Sequence, residues 1–246
     1  MARKNTETST ETGNNKDNPF LLSSRSPFSM QEAYKTLRTN ITFSLPGSGC
    51  KCIGIVSSNR GDGKSTIAAN LAISFGQIKK RVLLIDCDLR LPTIAKKLNI
   101  PSQPGLSDFL VGGDQAECIS ILHLSGKNIE VIPSGAIPPD STILLESQRM
   151  IDLIEKLKTE YDYIIFDMPP ITVVSDALLM SKCIDGYLVV VRHKHSEYSK
   201  VDEALRYMKF ADCKIIGLAY NGKGQTKKYY KYRKNYYKSN YYYYKK

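Results

Sequence analysis

The chain has 246 residues, of which 42% are apolar and 24% charged, the balance of an ordinary globular protein with room for one substantial α/β domain and flexible ends. No apolar run approaches the roughly 20 residues that a membrane-spanning helix needs, so the composition excludes an integral helical membrane protein. The formal charge of +11 is unevenly placed: residues 223–246 hold nine Lys/Arg and no acid, which leaves +2 for everything before them.

In chain order, "MARKNTETSTETGNNKDNP" lacks the apolar core of a secretory signal and reads as a disordered leader, taken here as residues 1–27. "SMQEAYKTLRTNITFSL" predicts a helix with Ser29 as N-cap and Glu32 as its capping-box partner, ended by Pro46 and its flanking glycines. Apolar strands then alternate with helices. "CIGIVSS" precedes a helix from about Lys64 to Gln77, and "RVLLIDCD" is a second buried strand. "LPTIAKKLN" gives a helical turn or two, "GLSDFLVG" a short Gly-bounded element, and "NIEVIPSG" a third strand. "STILLESQRMIDLIEKLKTEY" predicts one long helix and "DYIIFDMPP" a fourth strand. A helix around "SDALLMSKC", the strand "GYLVVVR", a helix at "EYSKVDEALRYMKF" and the strand "KIIGLAYNG" complete the domain. Short apolar strands separated by helices predict a doubly wound, mostly parallel sheet covered on both faces, placed here at residues 28–222. The six cysteines, at 50, 52, 87, 118, 183 and 213, form neither a CxxC pair nor a disulfide framework. They are expected to be reduced, in a cytosolic protein.

The chemistry lies in three segments. "SSNRGDGKST" follows a strand and opens a helix, the context of a phosphate-binding loop. Backbone N–H groups of Gly61, Asp62 and Gly63 can curl round a phosphate because glycine tolerates the dihedrals required. Lys64 reaches the β/γ-phosphates, the helix N-terminus carrying Ser65 and Thr66 adds its dipole, and the Ser65 hydroxyl is placed to ligate Mg²⁺. Ser58 stands where the strict pattern has glycine. In "LLIDCDLRLP", Asp86 and Asp88 end a buried strand at the sheet's carboxyl edge, where doubly wound folds bind ligands. Spaced by two, they point to one side, and buried together they repel unless a metal or an accepting hydroxyl joins them. "YIIFDMPP" ends another strand in Asp167, a Walker B type carboxylate that holds Mg²⁺ through water. One Asp at a strand end is commonly a helix N-cap; three after such a loop read as the site of a Mg-nucleotide enzyme. His193 and His195 in "RHKHSEY" are explained by a polar loop and left out of the site.

From about Met30 onward the sequence resembles the bacterial protein-tyrosine kinases that govern capsule and exopolysaccharide production. The resemblance is carried by "EAYKTLRTN", "GDGKST", "IDCDLR", "IPSGAIPPDS", "YIIFDMPP" and a terminal tyrosine cluster. It implies the P-loop fold of the deviant Walker A group and an ATP-dependent tyrosine kinase unrelated in fold to eukaryotic kinases. By that resemblance Lys64 holds phosphates, Ser65 the Mg²⁺, Asp86 receives the tyrosine proton, and Asp88 and Asp167 position metal. Arg90 completes the motif, and Asn221 aligns with an adenine-side asparagine. The family's N-terminal E-x-x-R-x-x-R helix, which docks on a neighbouring subunit to close a ring, is here Glu32, Lys35 and Arg38, three residues expected on one helix face. Lys35 keeps the charge without the guanidinium fork. Further implied partners are a separate transmembrane polysaccharide co-polymerase as activator, which would recruit the kinase to the inner face of the membrane, and a cognate phosphotyrosine phosphatase.

The tail then reads as substrate. Its phosphoacceptors would be Tyr229, Tyr230, Tyr232, Tyr236, Tyr237, Tyr241, Tyr242, Tyr243 and Tyr244. Each phosphate adds about −1.5 to −2 charges, so roughly five or six would neutralise the tail's +9. Two other readings compete. A ParA/MinD-type positioning ATPase is opposed by Asn59, where those proteins carry lysine, and by the nine tyrosines. A nucleic-acid or membrane-surface binder would use the basic, aromatic tail, but it gives no reason for three carboxylates, and no nucleic-acid partner is expected.

Overall fold

In the computed structural model of the chain, residues 19–124 and 127–222 are described. The tyrosine-rich segment 223–246 and residues 1–18 of the leader lie outside the described residues.

Seven strands form one sheet among the described residues: β1 (Lys51–Ser57), β2 (Val82–Asp86), β3 (Ser120–Leu124), β4 (Lys127–Ile132), β5 (Tyr163–Asp167), β6 (Gly186–Arg192) and β7 (Ile215–Asn221). Their order is β3-β4-β2-β5-β1-β6-β7. Every neighbouring pair is parallel except β3 with β4, which is antiparallel. The edge strand β3 is additional to the strands expected from the sequence. Its signal was a Ser125-Gly126 dipeptide between two strand-length runs.

The central strands are apolar because both of their faces are covered. Side-chain alternation along β2 sends Leu83 and Ile85 into one layer and Val82 and Leu84 into the other. One layer contains Ile154 and Leu157 of α6 (Gln148–Lys158) and Ala204 and Met208 of α8 (Tyr198–Phe210). The opposite layer is built around α2 (Lys64–Gly76), which is buried along nearly its whole length, and α1 (Phe28–Ser44). Gly54 on β1 makes room for Tyr187: a Cβ there would lie 2.8 Å from the tyrosine ring. The short helices α3 (Ile94–Leu98), α4 (Leu106–Leu110), α5 (Ser141–Leu145) and α7 (Asp176–Leu179) complete the layers. All six cysteines are free thiols, and no helix among the described residues is long and apolar enough to cross a membrane.

Three local expectations need correction. α1 starts at Phe28 behind Pro27, with no side-chain cap, so Ser29 lies inside the helix; Glu32 pairs with Lys35 at 2.7 Å instead of closing a capping box. The single long helix over 141–161 is two. Asp140 caps α5 by accepting from Thr142 N at 2.9 Å, and the Ser147 hydroxyl both donates to Leu144 O at 2.7 Å and accepts from Met150 N at 3.2 Å. One serine thus closes α5 and opens α6.

The ordered domain also begins before residue 28. Leu21 and Leu22 are 5% and 2% exposed, and Asn70 of α2 holds them: its Oδ1 accepts from Leu22 N at 2.7 Å, and its Nδ2 donates to Phe20 O at 2.8 Å and Tyr34 OH at 3.1 Å. Two leucines without periodicity give a sequence reader nothing to place. Asn70→Ala removes these three hydrogen bonds, leaves the Leu22 N–H without its acceptor, and is expected to cost about 1–3 kcal/mol. Hydrogen exchange should show the Leu22 amide losing protection ahead of α2; unchanged protection would contradict the tie.

Candidate active site

The loop between β1 and α2 holds the phosphate-binding sequence. Gly61 and Gly63 sit at φ +87° and +93°, the left-handed region open to glycine, and Gly63 precedes the first turn of α2. Lys64, Ser65 and Thr66 occupy that turn. Asp62 is fully buried, and its Oδ2 accepts from Asn59 N at 3.0 Å.

Beside the loop lies an acidic edge. β2 and β5 are parallel neighbours, and Asp86 stands directly opposite Asp167 where both strands end. Asp88 follows on the loop after β2. Lys64 Nζ is 3.0 Å from Asp88 Oδ2 and 4.0 Å from Asp167 Oδ1. Asp86 accepts three backbone N–H groups: Asp88 at 3.2 Å on Oδ1, and Thr93 at 3.2 Å and Ile94 at 3.0 Å on Oδ2. Burial, then the neighbouring Asp167, pushes its carboxyl up to about 8 against those bonds. Burial would lower the Lys64 ammonium, yet Asp167 and Asp88 outweigh it and hold it above its usual range. Burial likewise raises Asp167, opposed by Lys64 and the nearby Ser65 hydroxyl.

Among the described residues neither buried Asp167 oxygen has a hydrogen-bond partner of good geometry, an arrangement a cation or its water shell would satisfy. The Ser65 hydroxyl, which accepts from Thr93 Oγ1 at 2.8 Å, adds one neutral oxygen ligand. No cluster of three or more His, Cys, Asp or Glu among the described residues converges as a metal cage. One carboxylate with free lone pairs and one hydroxyl suit a hard cation that keeps several waters, such as Mg²⁺.

Arg90 turns away from the acidic edge. Its Nε and Nη2 donate to the two oxygens of buried Asp176, at 3.1 and 3.3 Å, and Nη2 also reaches Thr142 Oγ1 at 3.2 Å. Asp176 accepts in addition from Ser141 Oγ at 2.9 Å. The loop after β2 is thereby tied to the first turns of α5 and α7 at one carboxylate. Asp176 carries no sequence signal of this role: it reads as a first-turn helix residue, 86 positions from its partner.

On the other flank, Asn221 at the end of β7 donates from Nδ2 to Asp62 O at 2.8 Å. His195, set aside on the sequence, places Nδ1 2.9 Å from Asp62 Oδ1, while His193 pairs with Tyr220. On α1, Arg38 leaves the expected stripe: its Nη1 donates to the carbonyl and hydroxyl of Ser74 on α2, while Glu32 and Lys35 pair at the surface.

Residues 50–212 match the AAA domain family. The tyrosine-protein kinase YwqD of Bacillus subtilis is 37% identical over 196 residues, spanning 80% of this chain and 82% of that protein. The kinase domain of the Escherichia coli tyrosine kinase ETK shares the structure at a TM-score of 0.78 and 28% identity, over 89% of this chain and 87% of that one. The septum site-determining protein MinD of Pyrococcus horikoshii, solved with Mg-ADP, shares the fold at a TM-score of 0.60 and 24% identity, over 72% of each chain.

The buried carboxylates make stability pH-dependent in metal-free protein. Asp86 has a folded-state pKa raised from 3.8 to about 8, so its contribution is intact below pH 4 and is lost as pH rises towards 8. Asp167→Asn removes one repelling charge. We expect it to raise the melting temperature at pH 8 by roughly 2–4 °C, the shift that about 1 kcal/mol produces in a domain of this size. It should also flatten the decline in stability between pH 4 and 8. A lowered melting temperature would mean that the Lys64–Asp167 attraction outweighs the repulsion.

Proposed function

The chain belongs to the bacterial tyrosine-protein kinase family, and from that premise we propose that it phosphorylates the C-terminal tyrosines of a second copy of itself, so regulating synthesis and export of a capsular or extracellular polysaccharide. It is a tyrosine-protein kinase with a nucleotide-binding P-loop fold. The observation that carries the proposal is the pair Asp86 and Asp167, side by side at the sheet edge within reach of Lys64 and the loop at Gly61–Gly63.

ATP is the phosphoryl donor in this scheme. The N–H groups of the loop and of the first turn of α2 receive its phosphates, and Lys64 exchanges Asp88 for a β/γ-phosphate oxygen. Mg²⁺, when bound, neutralises phosphate charge; Ser65 would hold it directly, Asp167 through water, with Asp88 alongside. The tyrosine hydroxyl oxygen attacks the γ-phosphorus, the bond to the β-phosphate oxygen breaks, and ADP leaves. Asp86 takes the tyrosine proton. Its three backbone N–H bonds fix the carboxylate's direction and leave lone-pair capacity for that proton, and a pKa near working pH suits a general base. Arg90 acts through Asp176 by holding the loop that carries Asp88. Asn221 has committed one amide hydrogen to Asp62, so an adenine contact falls to its Oδ1 or its second hydrogen.

The tail's charge motivates regulation. At +9 it is drawn to the acidic edge, and successive phosphates reverse that attraction. A ring through Glu32, Lys35 and Arg38 would exchange the internal partners of these residues for those of a neighbour. A transmembrane co-polymerase as activator, a phosphatase to reset the tail, and recruitment to the inner face of the membrane complete the proposal.

A mixing experiment tests it. Lys64→Met with an intact tail is combined with an active chain truncated after Gly222, in Mg-ATP and the activator's cytoplasmic segment. Phosphotyrosine is expected on the Lys64→Met chain within residues 229–244, and none when that variant is alone. Label confined to chains with their own working Lys64 would contradict transfer between copies; substantial label on the variant alone would contradict the assignment of Lys64.

A further inference from the structure

The loop after β6 crosses to the phosphate-binding loop. β6 runs beside β1 in parallel register, Val189 opposite Val56 and Val190 opposite Ser57, so the two strands deliver their following loops to the same edge. There Arg192 Nη1 donates to Gly61 O at 2.6 Å, and from β7 Asn221 Nδ2 donates to Asp62 O at 2.8 Å. The Asp62 side chain is fixed as well: Oδ1 accepts from Ser196 Oγ at 2.6 Å and lies 2.9 Å from His195 Nδ1. Ser196 Oγ in turn accepts from Arg192 N at 2.7 Å, so the clamp is internally tied.

These contacts decide which way two peptide groups face. In a trans peptide the carbonyl and the following N–H point in opposite directions. Drawing the Gly61 carbonyl to Arg192 turns the Asp62 N–H away from β6, and drawing the Asp62 carbonyl to Asn221 turns the Gly63 N–H away from β7. Among the described residues, none accepts a hydrogen bond from the N–H of Gly61, Asp62 or Gly63. The glycines that let the loop curl also let its peptides rotate at little cost, and a rotated peptide presents a carbonyl oxygen to the anion instead of a donor. A Cβ at Gly63 would lie 2.1 Å from Asn221 Nδ2, so glycine is what admits the asparagine.

We infer that Arg192 and Asn221 are positioning residues that pin the 61–62 and 62–63 peptides with their N–H groups inward, so that the ends of β6 and β7 set the affinity for nucleotide phosphates. The inference rests on nucleotide binding at this loop and not on the identity of the phosphoryl acceptor.

The test measures Mg²⁺-dependent binding of ADP and of inorganic tripolyphosphate, which has no base, to the full chain and to Arg192→Ala, Arg192→Lys and Asn221→Ala. Both alanine variants are expected to weaken both ligands by about 3–10-fold, the effect of losing one hydrogen bond that orients a donor. The loss should persist in 0.5 M KCl, where exposed charges are screened within a few ångströms. Arg192 is exposed, so its truncation leaves the fold, and Arg192→Lys, which keeps a donor, should recover affinity to within about twofold of the parent. Unchanged tripolyphosphate binding by Asn221→Ala would overturn the inference in favour of a base contact. An Arg192→Ala effect that vanishes at high salt would overturn it in favour of simple charge attraction, and one that Lys does not repair would overturn the donor role assigned to Arg192. Phosphate binding that behaves as expected while no phosphotyrosine forms would refute the kinase scheme alone.

Discussion

Parallel pairing of β2 with β5 places Asp86 and Asp167 opposite each other, and a one-residue slip of either strand would exchange its apolar side chains between two packed layers shaped for them. Two carboxylates are therefore held together by the fold, with a third, Asp88, two residues on and one ammonium, Lys64, among them. Folding alone gives such an edge little reason to exist. Burial and mutual repulsion hold the Asp86 carboxyl up to about 8, and among the described residues the Asp167 oxygens have no hydrogen-bond partner of good geometry. The surrounding apolar layers carry the stability of the domain, and the edge spends part of it on charge that a cation and a phosphate can use.

The rest of the edge is organised to hold this arrangement still. On one flank Arg90, Asp176, Ser141 and Thr142 tie the loop after β2 to α5 and α7. On the other flank Arg192, His195, Ser196 and Asn221 tie the phosphate-binding loop to the ends of β6 and β7. Each tie centres on a buried aspartate, Asp176 in one case and Asp62, joined by the Gly61 carbonyl, in the other. Each converts flexible loops at the end of a rigid sheet into a surface of defined shape.

What was legible in the sequence was local. The phosphate-binding loop showed itself because strand, glycine loop and helix are contiguous, and Asp86, Asp88 and Asp167 because each closes an apolar run. Contacts across long separations were not legible: Arg90 meets Asp176 across 86 residues, and Arg192 meets Gly61 across 131. Helical spacing put Glu32, Lys35 and Arg38 on one stripe, but it could not show that the Arg38 guanidinium reaches Ser74 of α2. The single helix expected over 141–161 failed for a smaller reason: Ser147 lies in an otherwise helical pattern, and its hydroxyl competes with the backbone at the point where α5 ends. Residues 20–22 looked like leader because burial of Leu21 and Leu22 depends on Asn70, 48 residues beyond Leu22.

The most direct measurement is a crystal structure of the full chain with Mg²⁺ and a non-hydrolysable ATP analogue. The account predicts that Lys64 Nζ leaves Asp88 for a β/γ-phosphate oxygen. Mg²⁺ should lie on the Ser65 hydroxyl with a bound water on Asp167, and Asp86 should face open space beside the γ-phosphate. Lys64 still paired with Asp88, with the phosphates bound elsewhere or Asp167 still without a partner, would contradict it.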